Sequence, residues 1–173
     1  MTPAAEMILL LQTFDPIGDT TGQSWSDVGF GYCRDAFAKF KEADWAEFEL
    51  QKQHLTNEQR LLLADVTPLL PKEHSVSLLT WLVCTTRGES WITSAEALAD
   101  WFLKDPQAVR AYGGRLRSEN LVHKFEEQLS CYINFPRGGE TFDEYLTKYS
   151  HLVSQGMVEL NAYLRGLTAS AEP

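Results

Sequence analysis

Apolar residues recur three and four positions apart along most of this chain, the spacing that places side chains on one face of an α-helix. Tyr32, Ala36, Phe37 and Phe40 show this spacing in one segment. Residues 75–83 are apolar on nearly every side, as in a helix that lies in the middle of a bundle. No segment alternates convincingly as a strand does. The pattern therefore predicts an all-α fold of about eight helices joined by short loops.

Capping residues mark where several of these helices begin. Segments 56–59 (Thr-Asn-Glu-Gln) and 141–144 (Thr-Phe-Asp-Glu) have the spacing of a capping box, in which both side chains satisfy free amide groups. Asp105 followed by Pro106 suits an N-cap and the first position of a helix. Other expected helix starts are Tyr32, Asp44 and Ser75.

Glycine and proline are concentrated in a few places, where the helices are expected to stop. Residues 14–31 are predicted to form the longest loop, and loops of such length are uncommon in compact domains unless they are functional or mobile. Gly113-Gly114 is expected to break one helix, and Gly156 to interrupt another before a last helix from Met157 to Leu164. The C-terminal residues 168–173 are expected to be frayed.

The length and composition favour one folded domain. The chain has 173 residues, of which 44% are apolar and 23% are charged, close to the averages for globular proteins. Domains of about 100–200 residues bury enough surface to be stable without disulfides or metals. We therefore expect a single all-α domain over residues 1–173, built as a helical bundle or a short α-solenoid.

The cysteines and the N-terminus indicate in which cellular compartment the protein is expected. Cys33, Cys84 and Cys131 are odd in number and form no C-x-x-C pair, which argues against a disulfide framework or a thiolate zinc site. The N-terminus lacks the basic segment and cleavage site of a secretory signal. No apolar run approaches the ~18 residues that span a bilayer. The sequence therefore predicts a cytoplasmic protein that does not cross a membrane.

The negative charge is concentrated in the first third of the chain. The net charge is −9, and residues 1–55 contribute −5 of it, with nine acidic and four basic residues. Such a field repels nucleic-acid phosphates and anionic lipids and attracts a basic surface. We therefore expect a protein partner with a basic surface, and neither nucleic acid nor membrane as a partner.

Five carboxylates within fifteen residues, interleaved with aromatic side chains, form the candidate interface. Aromatic anchors rimmed by charge are a recurring composition of protein interfaces. The alternative is a solvated helix face whose aromatic residues point into the core. The candidate interface residues are Trp25, Phe30, Asp35, Glu42, Asp44, Trp45, Glu47 and Glu49.

No motif in the sequence identifies an active site. There is no Gly-x-Ser-x-Gly elbow, and the four histidines lack the spacing of a metal site, so we assign no catalytic residue, no metal and no cofactor. An enzyme or a small-ligand-binding protein with a pocket between helices stays an alternative. The residues considered for such a pocket are Tyr112, Arg115, Arg117 and His123.

Residues 45–105 resemble a HEAT-like helical repeat. The likeness rests on paired amphipathic helices, on a proline-bearing turn in Val66-Thr-Pro-Leu-Leu-Pro71, and on Ser94-Ala-Glu-Ala-Leu-Ala99 leading into Trp101-Phe102. It covers about a third of the chain, and it implies an α-solenoid fragment that presents a binding face.

Size, acidity and the lack of a readable active site together favour a non-catalytic interaction protein. Bacterial immunity proteins that neutralise toxin domains are similar in size and acidity, and some of them are HEAT-like. The functional hypothesis is therefore an inhibitor or immunity protein that occludes a basic toxin or nuclease. The alternatives are the enzyme or ligand-binding protein above and a structural subunit of a larger assembly.

Overall fold

The computed structural model describes residues 1–14, 28–118, 121–133, 141–148 and 150–169, and all the regular structure in these ranges is helical. The all-α prediction is confirmed. The described residues form eleven α-helices, more than the predicted eight or so, because several are short. They are α1 (Pro3–Thr13), α2 (Phe30–Phe37), α3 (Glu42–Gln51), α4 (Asn57–Val66), α5 (Lys72–Thr85), α6 (Glu89–Lys104), α7 (Pro106–Arg110), α8 (Gly113–Ser118), α9 (Leu121–Tyr132), α10 (Phe142–Lys148) and α11 (Gln155–Ala169). Three short 3₁₀ turns lie at Lys52–His54, Thr67–Leu69 and Ser150–Leu152.

The helices divide into two compact units. The first unit, Met1–Pro71, contains α1 to α4, and the second unit, Lys72–Pro173, contains α5 to α11. Each unit buries its own apolar side chains. That residues 1–173 form a single domain stays a prediction, and so does the choice between a bundle and a solenoid.

The core of the first unit is built on α1, which packs against α2, α3 and α4. Ala4, Met7 and Leu11 lie three and four positions apart and are fully buried. Thr2 caps α1, because its hydroxyl accepts a hydrogen bond from the Ala5 amide at 3.2 Å. The same residue spacing that predicts a helix therefore also supplies the buried face. The partners from the other helices are Cys33, Ala36, Phe37, Phe48, Leu62, Leu63 and Val66.

Two predicted helix starts in the first unit are wrong. Helix α2 begins at Phe30 and not at Tyr32, because Gly29 already has helical backbone angles, so the predicted loop over 14–31 ends earlier. Residues 15–27 of that loop lie outside the described residues. Helix α3 begins at Glu42, and Asp44 lies inside its first turn. The Asp44 carboxylate accepts a hydrogen bond from the Lys41 amide at 2.9 Å, so it caps the helix from within.

The capping box predicted at α4 is confirmed. The Gln59 amide donates to the Thr56 hydroxyl at 3.3 Å, and the Thr56 amide donates to the Gln59 side-chain oxygen at 3.0 Å. Two amides at the start of the helix are thereby satisfied reciprocally. The corresponding pair at α10, Thr141 and Glu144, forms the same arrangement, with distances of 2.9 and 3.3 Å.

Helix α6 is central in the second unit, because it packs against α5, α7, α9 and α11. Helix α5 is buried on nearly all sides, as its sequence predicts. It begins at Lys72 directly after Pro71, so the predicted start at Ser75 is wrong. Ser75 is instead buried inside α5, and its hydroxyl accepts a hydrogen bond from the Trp101 indole of α6 at 2.8 Å.

The two helix breaks predicted at glycines in the second unit lie just before those glycines, at residues 111–112 and before Gln155. Gly156 lies in the first turn of α11 and is buried against α6, where a Cβ would come within 2.7 Å of the Ala99 carbonyl oxygen. Gly113 opens α8, and a Cβ there would lie 2.7 Å from the Tyr163 hydroxyl. Both glycines therefore permit close packing between helices, which local sequence does not reveal.

The remaining predictions for the second unit concern the cap of α7 and the C-terminal end of the chain. Asp105 caps α7 as expected, since its carboxylate accepts from the Ala108 amide at 3.2 Å. The frayed end over 168–173 stays a prediction; residues 168–169 belong to α11, and residues 170–173 lie outside the described part. The Arg165 side chain of α11 reaches Glu126 of α9 at 3.1 Å and Asp143 of α10 at 2.8 Å, so one guanidinium joins three helices.

Candidate protein-binding surface

Helix α3 is attached to the first unit by only one of its sides. Phe48 is fully buried, while Asp44, Trp45 and Gln51 are half-buried on the same side. On the opposite side Ala43, Ala46 and Leu50 follow at intervals of three and four and are exposed. We call the exposed residues Glu42, Ala43, Ala46, Glu49 and Leu50, together with the half-buried Glu47, the α3 surface.

The apolar centre of the α3 surface consists of Ala43, Ala46 and Leu50. Ala46 and Leu50 are expected from the helical pattern to widen the face that points into the core. They instead flank Phe48 by two positions on either side, about 200° around the helix, and therefore point outward. Leu50 is 75% exposed. A large aliphatic side chain in water beside two alanines is the part of this surface that a partner would gain most by covering.

The aromatic residues near α3 form a cluster that packs on the buried side of the helix. The ring of Trp45 stacks on Phe37 with centroids 5.4 Å apart and meets Phe40 edge-on at 4.9 Å. Phe48 meets Phe37 edge-on at 5.5 Å. Ring pairs in these geometries stabilise packing beyond simple burial. The alternative of inward-pointing aromatics therefore holds for Phe48, and Trp45 is half-buried in the same cluster.

The carboxylates of the cluster are not equally available to a partner. Asp44 is used as the cap of α3, and Glu47 accepts a hydrogen bond from Gln51 at 2.8 Å. Glu49 binds the ammonium group of Lys52 at 2.6 Å; the Lys52 side chain is 1% exposed and that of Glu49 is 51% exposed. Glu42 is exposed and has no ion-pair partner among the residues that the structure describes.

The remaining predicted interface residues lie on or before α2. Asp35 is exposed and pairs with its neighbour Arg34 at 3.0 Å, which neutralises part of its charge. Phe30 is half-buried at the start of α2. Trp25 lies outside the described residues. The structure therefore groups five of the predicted residues on α3, namely Glu42, Asp44, Trp45, Glu47 and Glu49, and places Leu50 and the two alanines beside them.

The second unit contains a cleft between the start of α6 and the end of α9, with a volume of about 540 Å³. Volumes of about 300–1,000 Å³ are usual for small-ligand pockets. Gly88 stands at one edge with φ of +61°, and its amide donates to the Gln128 side chain at 2.9 Å. The exposed Cys131 and Tyr132 line the other edge.

The residues considered for an inter-helix pocket do not meet in one cavity. Tyr112 lines a second, smaller cleft of about 270 Å³, next to the ion pair of Lys72 and Asp105 at 2.8 Å. Arg115, Arg117 and His123 are exposed and line neither cleft.

Among the described residues, burial perturbs the pKa of Cys33 and of Glu96. Burial raises the pKa of Cys33 to about 12, so that thiol stays protonated near neutral pH. Burial raises the pKa of Glu96, and the charge of nearby Asp100 raises it further.

Within the described ranges, no three His, Cys, Asp or Glu side chains lie together as ligands of a metal ion. In those ranges, too, no helix has the length and apolar character needed to cross a membrane.

Comparisons with protein-family models, with curated proteins and with solved structures gave no match. The resemblance of residues 45–105 to a HEAT-like repeat therefore stays a prediction. What the fold and the surface define is a chain of all-α class with an acidic helix surface that has an apolar centre.

Proposed function

We propose that this chain is a non-catalytic protein-binding protein that uses the α3 surface to hold a partner with a basic surface. In its most concrete form, the protein is an inhibitor or immunity protein that neutralises a basic toxin or nuclease. The observation that carries the proposal is the exposed Leu50 and its two alanines, bordered by carboxylates on a helix without a single basic residue.

The apolar centre is expected to contribute mainly to the affinity of binding, and the acidic border mainly to its rate. Burying a leucine side chain such as Leu50 contributes about 1.5–3 kcal/mol. Exposed ion pairs are individually worth only about 0–1 kcal/mol, but their field accelerates the encounter of opposite charges. Affinity is therefore expected to depend on Leu50, and the association rate and its salt dependence on Glu42 and Glu47.

The support beneath α3 favours the same function. The helix is fixed by the aromatic cluster around Trp45 and by the internal cap of Asp44. A surface that is already ordered loses less conformational freedom on binding, so more of the contact energy remains as affinity. An α3 surface on a fixed helix thus suits a tight, pre-formed interface.

The test begins with copurification from the native host and identification of stoichiometric partners by mass spectrometry. Association is then measured for Leu50→Asp and for Glu42→Lys, with Glu127→Lys on α9 as a charge-matched control, since Glu127 is also exposed. Leu50→Asp should weaken affinity at least tenfold, about 1.4 kcal/mol, and Glu42→Lys should slow association. Loss of the partner's activity on binding would identify inhibition, whereas unchanged activity would favour the structural-subunit alternative.

The outcome that counts against the proposal is a partner whose affinity is the same for Leu50→Asp, Glu42→Lys and the Glu127→Lys control. Circular dichroism must show that α3 is retained in each variant. Glu49 and Asp44 are unsuitable for this purpose, because reversing their charge would also disturb Lys52 and the helix cap.

The cleft beside Cys131 favours a second candidate, a small-ligand-binding protein or an enzyme. A volume of about 540 Å³ is large enough to enclose a small metabolite. A monomer without protein partners, whose thermal unfolding temperature rises with a metabolite, would support this second function. Alkylation of Cys131 should then block that rise.

A further inference from the structure

Helices α7 and α8 carry a local excess of positive charge in an acidic chain. Arg110, Arg115 and Arg117 lie within eight residues, and no acidic residue occurs between Pro106 and Ser118. All three side chains are exposed. Charges beyond the Debye length of about 8 Å are largely screened at physiological salt, so acids farther away than this do not cancel the local field.

Arg110 is held in place by aromatic rings. Its guanidinium carbon lies 5.6 Å from the centroid of Tyr163 and 5.9 Å from that of Phe102. The two rings stack on each other with centroids 5.2 Å apart. Contact with ring faces orients a guanidinium without neutralising it, so Arg110 keeps its charge and its donors.

The Tyr163 hydroxyl lies beside the first residue of α8. A Cβ on Gly113 would lie only 2.7 Å from that oxygen, so the phenol packs closely against the backbone of α8 at this residue. Arg117 follows Gly113 by four positions and so lies one turn further along the same face. Burial raises the pKa of Tyr163, while the charges of Arg110 and Arg117 lower it. Both arginines therefore act on the same hydroxyl.

We propose that Arg110, Arg117 and the Tyr163 hydroxyl form a binding site for a phosphate group, either inorganic phosphate or the phosphate of a small monoester. Among the described residues, neither arginine has a carboxylate within ion-pair distance. Two guanidinium groups match the charge of about −1.5 to −2 that a phosphate monoester carries at pH 7. Guanidinium and hydroxyl donors suit its oxygens in geometry as well.

The site does not depend on the proposed function of the α3 surface, which lies in the other unit. It also differs from the pocket that the sequence suggested, because Arg110 and Tyr163 replace Tyr112, Arg115 and His123. Its distinguishing element is the tyrosine hydroxyl, which comes from α11, forty-six residues beyond Arg117.

The test is isothermal titration calorimetry of the full chain with sodium phosphate and with phenyl phosphate, at an ionic strength kept constant with sodium chloride. Saturable binding with a Kd of about 1 mM or lower is expected for the wild-type protein. Arg117→Gln and Arg110→Gln should each weaken it about tenfold. Tyr163→Phe, which keeps the ring, should weaken it by a smaller factor.

Arg115→Gln is the matched control, because it removes the same charge two positions from Arg117 and about 200° around α8. It should change the Kd less than threefold, roughly 0.65 kcal/mol. Tighter binding of phenyl phosphate would assign the site to a monoester, and equal binding to free phosphate. The proposal is overturned if wild-type protein shows no saturable binding, or if Arg117→Gln binds as well as Arg115→Gln. Since Arg117 makes no ring contact among those described, its replacement tests the site without disturbing the Phe102–Tyr163 stack.

Discussion

Replacing Gly156 with alanine should force α11 away from α6. The added Cβ would lie 2.7 Å from the carbonyl oxygen, 2.9 Å from the carbonyl carbon and 3.2 Å from the Cβ of Ala99. Two of these three atoms are backbone of a buried helix, so no side chain can rotate out of the way. An ordinary contact begins near 3.4 Å, so relief requires a movement of roughly 0.7 Å.

The expected loss of stability depends on the buried contacts of α11 that this movement would lengthen. Met157, Leu160 and Leu164 of α11 are buried, and a gap of about 0.5–1 Å forfeits a quarter to a half of each dispersion contact. Overpacking of this kind typically costs about 1–3 kcal/mol. The gain in helix propensity from glycine to alanine, at most about 1 kcal/mol, is reduced because Gly156 lies in the first turn. We expect a net destabilisation of about 2 kcal/mol.

The same helix offers a matched control. A Cβ on Gly166 would meet nothing within 4 Å, so Gly166→Ala adds helix propensity without a clash. This variant should stabilise the protein by about 0.5–1 kcal/mol. Urea unfolding monitored by circular dichroism at 222 nm measures both, provided that the m-value is unchanged. A Gly156→Ala protein as stable as wild type, or equal shifts for the two variants, would refute the close-packing role of Gly156.

Three further predictions concern single groups. Since burial raises the pKa of Cys33 to about 12, iodoacetamide at pH 8 should modify the exposed Cys131 in the native protein and leave Cys33 intact, as peptide mass spectrometry can show. Labelling of Cys33 at the rate of Cys131 would contradict this. The pKa of Asp105 is lowered by its hydrogen bonds from Lys72 and from the Ala108 amide, so its stabilising contribution is present above the ordinary carboxyl pKa and is lost as the pH falls through the lower folded-state value. Asp105→Asn, which keeps a capping side chain, should therefore reduce the loss of stability below about pH 4, and an unchanged pH profile would speak against it. Thr56→Ala should cost about 1 kcal/mol in urea unfolding and Thr56→Ser much less, whereas equal losses would exclude the capping hydroxyl as the cause.

A count of the carboxylates in the acidic cluster overstates the negative charge that is available to a partner. Of the five carboxylates between residues 35 and 49, Asp44 caps its own helix, and Asp35 and Glu49 are paired with basic neighbours. Pairing and capping reduce the field that such groups project. The experiments on the α3 surface therefore rest on Leu50 and Glu42.

Features that depend on a few neighbouring residues could be predicted from the sequence alone. The capping boxes at Thr56 and Thr141 and the cap at Asp105 are decided by side chains that reach only three positions along the chain. The burial of α5 on nearly all sides follows from a segment that has almost no polar face. The helical class itself follows from the repeated three-and-four spacing of apolar residues.

What only the tertiary structure decided is which neighbour each helix face meets. A helical pattern allows Leu50 to lie inside or outside, and the packing of Phe48 and Trp45 on α2 leaves it outside. Local sequence marks Gly113 and Gly156 as breaks, but the contacts of Tyr163 and Ala99 make them sites of close approach. The joining of Arg110 to Tyr163 likewise spans fifty-three residues. Such contacts arise from burial and shape between distant segments, and no local residue pattern encodes them.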